Sequence, residues 1–203
     1  LWTLCPSFFM CGTKWESQVA KDLYNRRDME GARKSLKEAG YVGIKLTKVR
    51  LMVPEDMPVL PEASLVTRQL LQDLGFVVEY QSMDWATLAT KRTKPDLWEV
   101  FHTWGGRDWS LLNPLGNVAA SPKGWWNQYQ DERGETARLM AKFARAVTFE
   151  EQKKVMDEWT RVFWEDVPVL LPGAFYPVMA KRNEVKGYEP LPDPLFFNVW
   201  LEK

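Results

Sequence analysis

The sequence predicts an α/β fold, a mostly parallel sheet flanked by helices. Three observations carry that prediction. From residue 28 to residue 104, helix-like and strand-like segments alternate three times. Apolar residues recur every three to four positions in the first kind of segment and every second position in the other. Caps and breakers fall where such helices should start and stop. Alternation of this type places helices over a mostly parallel sheet.

The stretch "RDMEGARKSLKEAG" reads as a helix. Asp28 caps it, Ala32, Leu36 and Ala39 form one stripe, and Gly40 ends it. "IKLTKVRLMV" follows as a strand in which Val49, Leu51 and Val53 alternate until Pro54. "PEASLVTRQLLQDLG" is the second helix, with Ala63, Val66, Leu70 and Leu74 expected on the buried face and Gly75 at its end. "FVVEYQS" is a strand with Phe76, Val78 and Tyr80 on one side. Asp84 caps a short helix, "WATLATKR", and "LWEVFHTW" is the next strand.

Residues 105 to 132 are irregular and punctuated by Gly, Pro, Asn and Ser. A loop that long is uncommon and tends to be functional or mobile. A helix from about Arg133 to Val147 follows, then another whose "TFEE" is a capping box from Thr148 to Glu151. Val155, Trp159, Val162 and Phe163 are its apolar stripe. "VPVLLPG" reads as a buried strand, "YPVMAKR" as its partner, "NEVKGYEPLPDP" as a Pro-rich connection and "LFFNVWLEK" as a last short strand.

Composition narrows the function. Lys+Arg and Asp+Glu balance at 27 each, so no basic excess exists to hold a nucleic-acid backbone. Apolar runs stay far short of the roughly 18 residues of a membrane span. The start, "LWTLCPSFFMCGTKWES", lacks the pattern of a signal peptide and an initiator Met, which reads as a processed protein or an excised piece. With two cysteines and His102 as the single histidine, no zinc set is complete, and no metal or cofactor is expected. The 11 tryptophans exceed what a core needs and hint at an aromatic-lined binding surface.

Several motifs, in order, carry a resemblance: "ARKSLKEAGY", "LLQDLGFVVEYQSMDWATL", "TWGGRDW", "FARAVTFEEQKKVMDEWTRVFWEDVPVLLPG", "KGYEPLP" and "NVWLEK". Together they resemble the C-terminal part of family 5 extracytoplasmic solute-binding proteins, the peptide, dipeptide and nickel receptors of ABC importers. The resemblance implies a periplasmic-binding-protein type II-like lobe over residues 1–203, with a C-terminal strand at about 195–203 crossing to a first lobe that is not in this sequence. It also implies a periplasmic or extracytoplasmic location, a small solute, foremost a peptide, as partner, and ABC permease subunits as partners of the full-length protein. In an oxidising compartment Cys5 and Cys11 can close a small loop; two independent thiols are the alternative.

The site follows from fold and resemblance together. In open α/β sheets, ligands sit at the carboxyl ends of the strands. The loop after Val53, the Asp84–Trp85 cap region and the loop after Trp104 share that edge. Family members of the peptide-binding branch carry an aspartate three residues after the strand-ending Trp. Here that position is Arg107, and the carboxylate comes one later, at Asp108. Asp108 suits a ligand ammonium; Arg107 suits a carboxylate through its bidentate fork. Gly105 and Gly106 let a ligand approach the backbone. Trp85, Trp104 and Trp109 offer aromatic faces, and Tyr176 a hydroxyl. Glu55 and Asp56 are further candidates for a ligand cation, and Trp125 and Trp126, beside Tyr129, for a lid, a stack on the ligand or a core plug. His102 is assigned no chemistry.

The leading function is a binding protein without catalysis that holds an oligopeptide or dipeptide between two lobes. An oligosaccharide receptor is the alternative within the same fold, since indoles stack on sugar rings. A carboxylate-dependent hydrolase is the enzyme alternative; the sequence has no G-x-S-x-G, H-E-x-x-H, P-loop or G-x-G-x-x-G motif to support one.

Overall fold

A computed structural model describes residues 2–8, 11–19, 21–24, 27–41, 47–104, 134–167, 169–175, 178–189 and 196–202. The chain divides into two compact units. The larger is Cys5–Leu171; the smaller joins Leu1–Leu4 to Pro172–Lys203.

In the larger unit, α1 (Met29–Glu38), β2 (Lys48–Pro54), α2 (Leu60–Asp73), β3 (Val77–Met83), α3 (Trp85–Lys91) and β4 (Val100–Phe101) follow the expected alternation. Local chemistry sets their ends. Asp28 Oδ1 accepts the Gly31 N–H at 2.8 Å and starts α1. Gly40 and Gly75 lie in the left-handed region, with φ of +84° and +101°. Each lets its helix close with a paired backbone motif: Tyr41 N–H to Leu36 O at 2.9 Å, and Phe76 N–H to Leu71 O at 3.0 Å.

The sheet order is β3-β2-β4, parallel throughout. β2 is therefore central, and β3 is an outer strand among the described residues. From β2 the chain crosses to β3 on one side, then past β2 to β4 on the other. Right-handed crossovers of that pattern put α2 and α3 on opposite faces, and both helices pack on β2. This explains why Leu51, Met52 and Val53 are all fully buried, although neighbours in a strand point opposite ways. The amino-terminal half of the sheet is ionic instead: Lys48 pairs with Glu79, and Arg50 with Glu99.

The second part of this unit is built on α4 (Glu135–Arg145) and α5 (Phe149–Asp166). The Thr148–Glu151 capping box is present. Leu139, Phe143, Val155, Met156, Trp159 and Phe163 form a cluster with Trp15 from the N-terminal segment. Phe8 packs on it, with ring centroids 5.3 Å from Trp159 and 5.0 Å from Phe163. Ser17 donates its hydroxyl to Asp157 at 2.6 Å, and Trp164 donates its indole N–H to Pro6 O at 3.1 Å. Cys5 and Cys11 form a disulfide, with Cα atoms 5.7 Å apart, closing the loop that carries Phe8.

In the smaller unit, β1 (Trp2–Thr3) pairs antiparallel with β5 (Ala174–Phe175), and β6 (Val185–Lys186) with β7 (Trp200–Leu201).

Four sequence expectations are corrected. The buried face of α2 is Leu60 and Ser64, flanked by half-buried Ala63, Thr67 and Leu71; Val66 and Leu70 are 61% and 40% exposed. The strand sought over residues 97–104 is bridged only at Val100–Phe101, because a 3-10 turn, Pro95–Leu97, occupies its approach. No strand forms among the described residues of 167–173: Val167 ends α5 in the left-handed region, and Leu170 lies exposed. Its expected partner is not a strand either among the described residues of 178–182, where Val178 is largely exposed.

Candidate functional site

The carboxyl edge of the sheet is assembled by register. Pro54 of β2 stands opposite Met83 of β3, and Met52 opposite Phe101 of β4. Trp104 follows three residues after Phe101, where β4 ends. Trp85 lies two residues beyond Met83. The two tryptophans thus follow the carboxyl ends of the strands on either side of β2.

Hydrogen bonds stitch this edge. Glu55 N–H donates to Met83 O at 2.9 Å, and Ser82 donates its hydroxyl to Glu55 Oε1 at 2.7 Å. Asp84 Oδ1 accepts the Thr87 N–H at 2.9 Å, and Asp84 Oδ2 accepts the Thr87 hydroxyl at 2.6 Å. The Thr87 hydroxyl and then its backbone N–H hold the Asp84 carboxyl below its ordinary range. Asp56 Oδ1 accepts the N–H of Trp85 at 2.7 Å. Glu55 and Asp56, offered by the sequence for a ligand cation, therefore have intramolecular partners here: Asp56 serves as a second cap on α3.

Trp85 is half-buried, and the Arg92 guanidinium lies over its ring, 5.2 Å from the centroid. Arg92 is held in turn: Trp98 donates its indole N–H to Arg92 O at 3.2 Å, and Trp98 packs edge-on against Phe101 of β4 at 4.6 Å. At the root of the Trp104 loop, His102 Nε2 lies 2.9 Å from the Thr67 hydroxyl of α2. Burial lowers the His102 pKa below its ordinary value, so the ring is neutral near pH 7.

Of the residues singled out in the sequence, Trp85 and Trp104 are brought to one edge, and both are half-buried. Gly105, Gly106, Arg107, Asp108, Trp109, Tyr176, Trp125, Trp126 and Tyr129 lie outside the described residues. Sequence reasoning missed Arg92 and Trp98. One signal was available: Arg92 is seven residues after Trp85, two helical turns, and so shares its face. Among the described residues no group of His, Cys, Asp and Glu is placed to hold a metal ion, and no helix is long and apolar enough to cross a membrane.

No family model matches the chain. It is 26% identical over 180 residues to a probable peptide ABC transporter periplasmic-binding protein of Sinorhizobium fredii, covering 85% of this chain and 33% of that protein. The chain thus spans about a third of the length of the curated relative it matches. Among solved structures it is similar to the oligopeptide-binding protein AppA of Bacillus subtilis in complex with a nonapeptide. That match has a TM-score of 0.72 and 20% identity over 97% of this chain and 41% of that one. It is also similar to the periplasmic binding protein DppA of Helicobacter pylori in complex with the peptide STSA, with a TM-score of 0.67 and 19% identity over 89% and 37%. NikA of Staphylococcus aureus in complex with Ni(L-His)2 has a TM-score of 0.65 and 14% identity over 86% and 38%. The fold is that of a type II periplasmic binding protein lobe, as the sequence resemblance implied.

Proposed function

We propose that this chain is the second lobe of an ABC-importer receptor that binds an oligopeptide or dipeptide without chemical conversion. One observation carries the reading: Trp85 and Trp104 leave a single sheet edge from strands on either side of β2. Open α/β sheets take their ligands at that edge. Two indoles at one edge offer apolar faces to an extended chain, and a few charges then fix its direction. In this reading Trp85, Trp104, Gly105, Gly106, Arg107, Asp108, Trp109 and Tyr176 line the lobe's side of the cleft. Arg107 or Asp108 anchors a ligand terminus.

The receptor works outside the cytoplasm and hands its solute to permease subunits; closure of two lobes on the ligand is the signal. The smaller unit fits a segment that finishes its packing on the companion lobe. It carries no fully buried hydrophobic residue among those described, while Val178, Phe196, Phe197 and Leu201 are each more than two-thirds exposed.

The test is calorimetry on the full-length receptor against a panel of di- to pentapeptides and against cello-oligosaccharides. Peptide binding that weakens at least ten-fold in Trp85→Ala and in Arg107→Ala or Asp108→Ala supports the reading. Binding of cello-oligosaccharides alone overturns it in favour of a sugar receptor, the second reading that the 11 tryptophans support.

A further inference from the structure

Trp85 is held more firmly than a surface tryptophan needs to be. Its backbone N–H is fixed by Asp56, and the turn it opens is fixed by Asp84. One face of its ring is covered by the Arg92 guanidinium, reaching back over two turns of α3. Arg92 itself is clamped through its carbonyl by the Trp98 indole, which stands edge-on to Phe101. The chain of contacts therefore runs from the indole to β4, the strand that leads to Trp104.

We infer that Arg92 is a positioning residue: it and Trp98 lock the Trp85 indole in one orientation as a preformed platform for the ligand. The inference rests on the peptide-receptor reading of this edge for its functional consequence, though not for the locking itself. A ring already held in its bound orientation loses no rotamer freedom when a ligand arrives. Immobilising one large side chain on binding costs enough to weaken affinity by roughly two- to ten-fold. A guanidinium suits this task, since its delocalised planar cation is weakly hydrated and interacts favourably with an indole face.

The experiment uses the full-length receptor labelled with 5-fluorotryptophan. The Trp85 resonance is identified by its loss in Trp85→Phe. The parent protein is expected to give one narrow Trp85 line. In Arg92→Met that line shifts and broadens while the tryptophan lines other than that of Trp98, which bonds Arg92, stay in place, which shows that the fold survives. Arg92→Lys restores part of the position, and Trp98→Phe, which keeps an aromatic ring but loses the donor, moves it in the same direction by less. A Trp85 line unchanged in Arg92→Met overturns the inference. If Arg92→Met fails to fold, Arg92→Lys and Trp98→Phe decide, and no movement in either overturns it.

Affinity for the peptide panel is expected to fall about two- to ten-fold in Arg92→Met, and unchanged affinity alongside a moved Trp85 line overturns the functional half. If no peptide binds the parent protein while the Trp85 line behaves as expected, the peptide reading fails and the locking of Trp85 stands.

Discussion

The α4–α5 region and the smaller unit treat their apolar residues in opposite ways. In the first, Trp159, Phe163, Met156 and Leu139 are almost wholly removed from water, and the N-terminal segment adds Phe8 and Trp15 to the same cluster. In the second, two ladders of two residues each carry the structure, and Phe196, Phe197, Trp200 and Leu201 stand in solvent. Both are rich in aromatics, so composition does not distinguish them. What differs is whether two long amphipathic helices are present to close around the rings. The comparison teaches that an apolar residue stabilises only where neighbouring backbone lets it leave water.

The largest effect that tests this contrast is a truncation on each side of it. Trp159→Ala or Phe163→Ala is expected to cost about 3–5 kcal/mol, read as a lower urea midpoint. Phe197→Ser is expected to leave that midpoint unchanged in this 203-residue chain by itself, because Phe197 is exposed there and nothing buried is lost. Equal losses in the two regions would erase the distinction.

A smaller effect sharpens it. The Cys5–Cys11 bridge closes a short loop, so reduction or paired Cys→Ser replacement should remove about 2 kcal/mol. The loss should appear in the unfolding of the α4–α5 region, since that loop carries Phe8 onto its core. A thermal melt that ignores dithiothreitol would detach the N-terminal segment from this account.

The smallest effect concerns the sheet. His102 is neutral because burial depresses its folded pKa below the ordinary 6.5. The folded state therefore binds fewer protons than the unfolded chain as pH falls through that value. The stability contributed by the neutral ring is present above pH 6.5 and is lost on acidification towards the lowered folded value. His102→Gln should flatten that part of the pH–stability curve. An unaltered curve would show that acid sensitivity arises from other groups.

Much of the fold was legible because its signals are local. Asp28, Asp84 and Thr148 announce helix starts through side chain–backbone bonds that span only three residues. The phase of α2 was not legible. Its core contact uses Ser64, whose hydroxyl satisfies itself on Leu60 O at 2.8 Å, and Thr67, which meets His102. Val66 and Leu70, expected on the buried face, are exposed instead. A two-residue strand such as β7 depends on which partner the tertiary structure brings, which periodicity does not report. For the site, Trp85 could be read from the Asp84 cap before it. The i, i+7 spacing put Arg92 on the same helix face as Trp85, but whether its long side chain folds back over the helix to reach the indole is not a property of spacing.

The burial of β2 on both faces has a kinetic consequence. Leu51, Met52 and Val53 are fully buried in the middle strand of the sheet, so water reaches their backbone amides only when the sheet itself opens. In heavy water these amides will be the last of the sheet to surrender protium. Their exchange then works as a clock for how often the whole α/β layer comes apart.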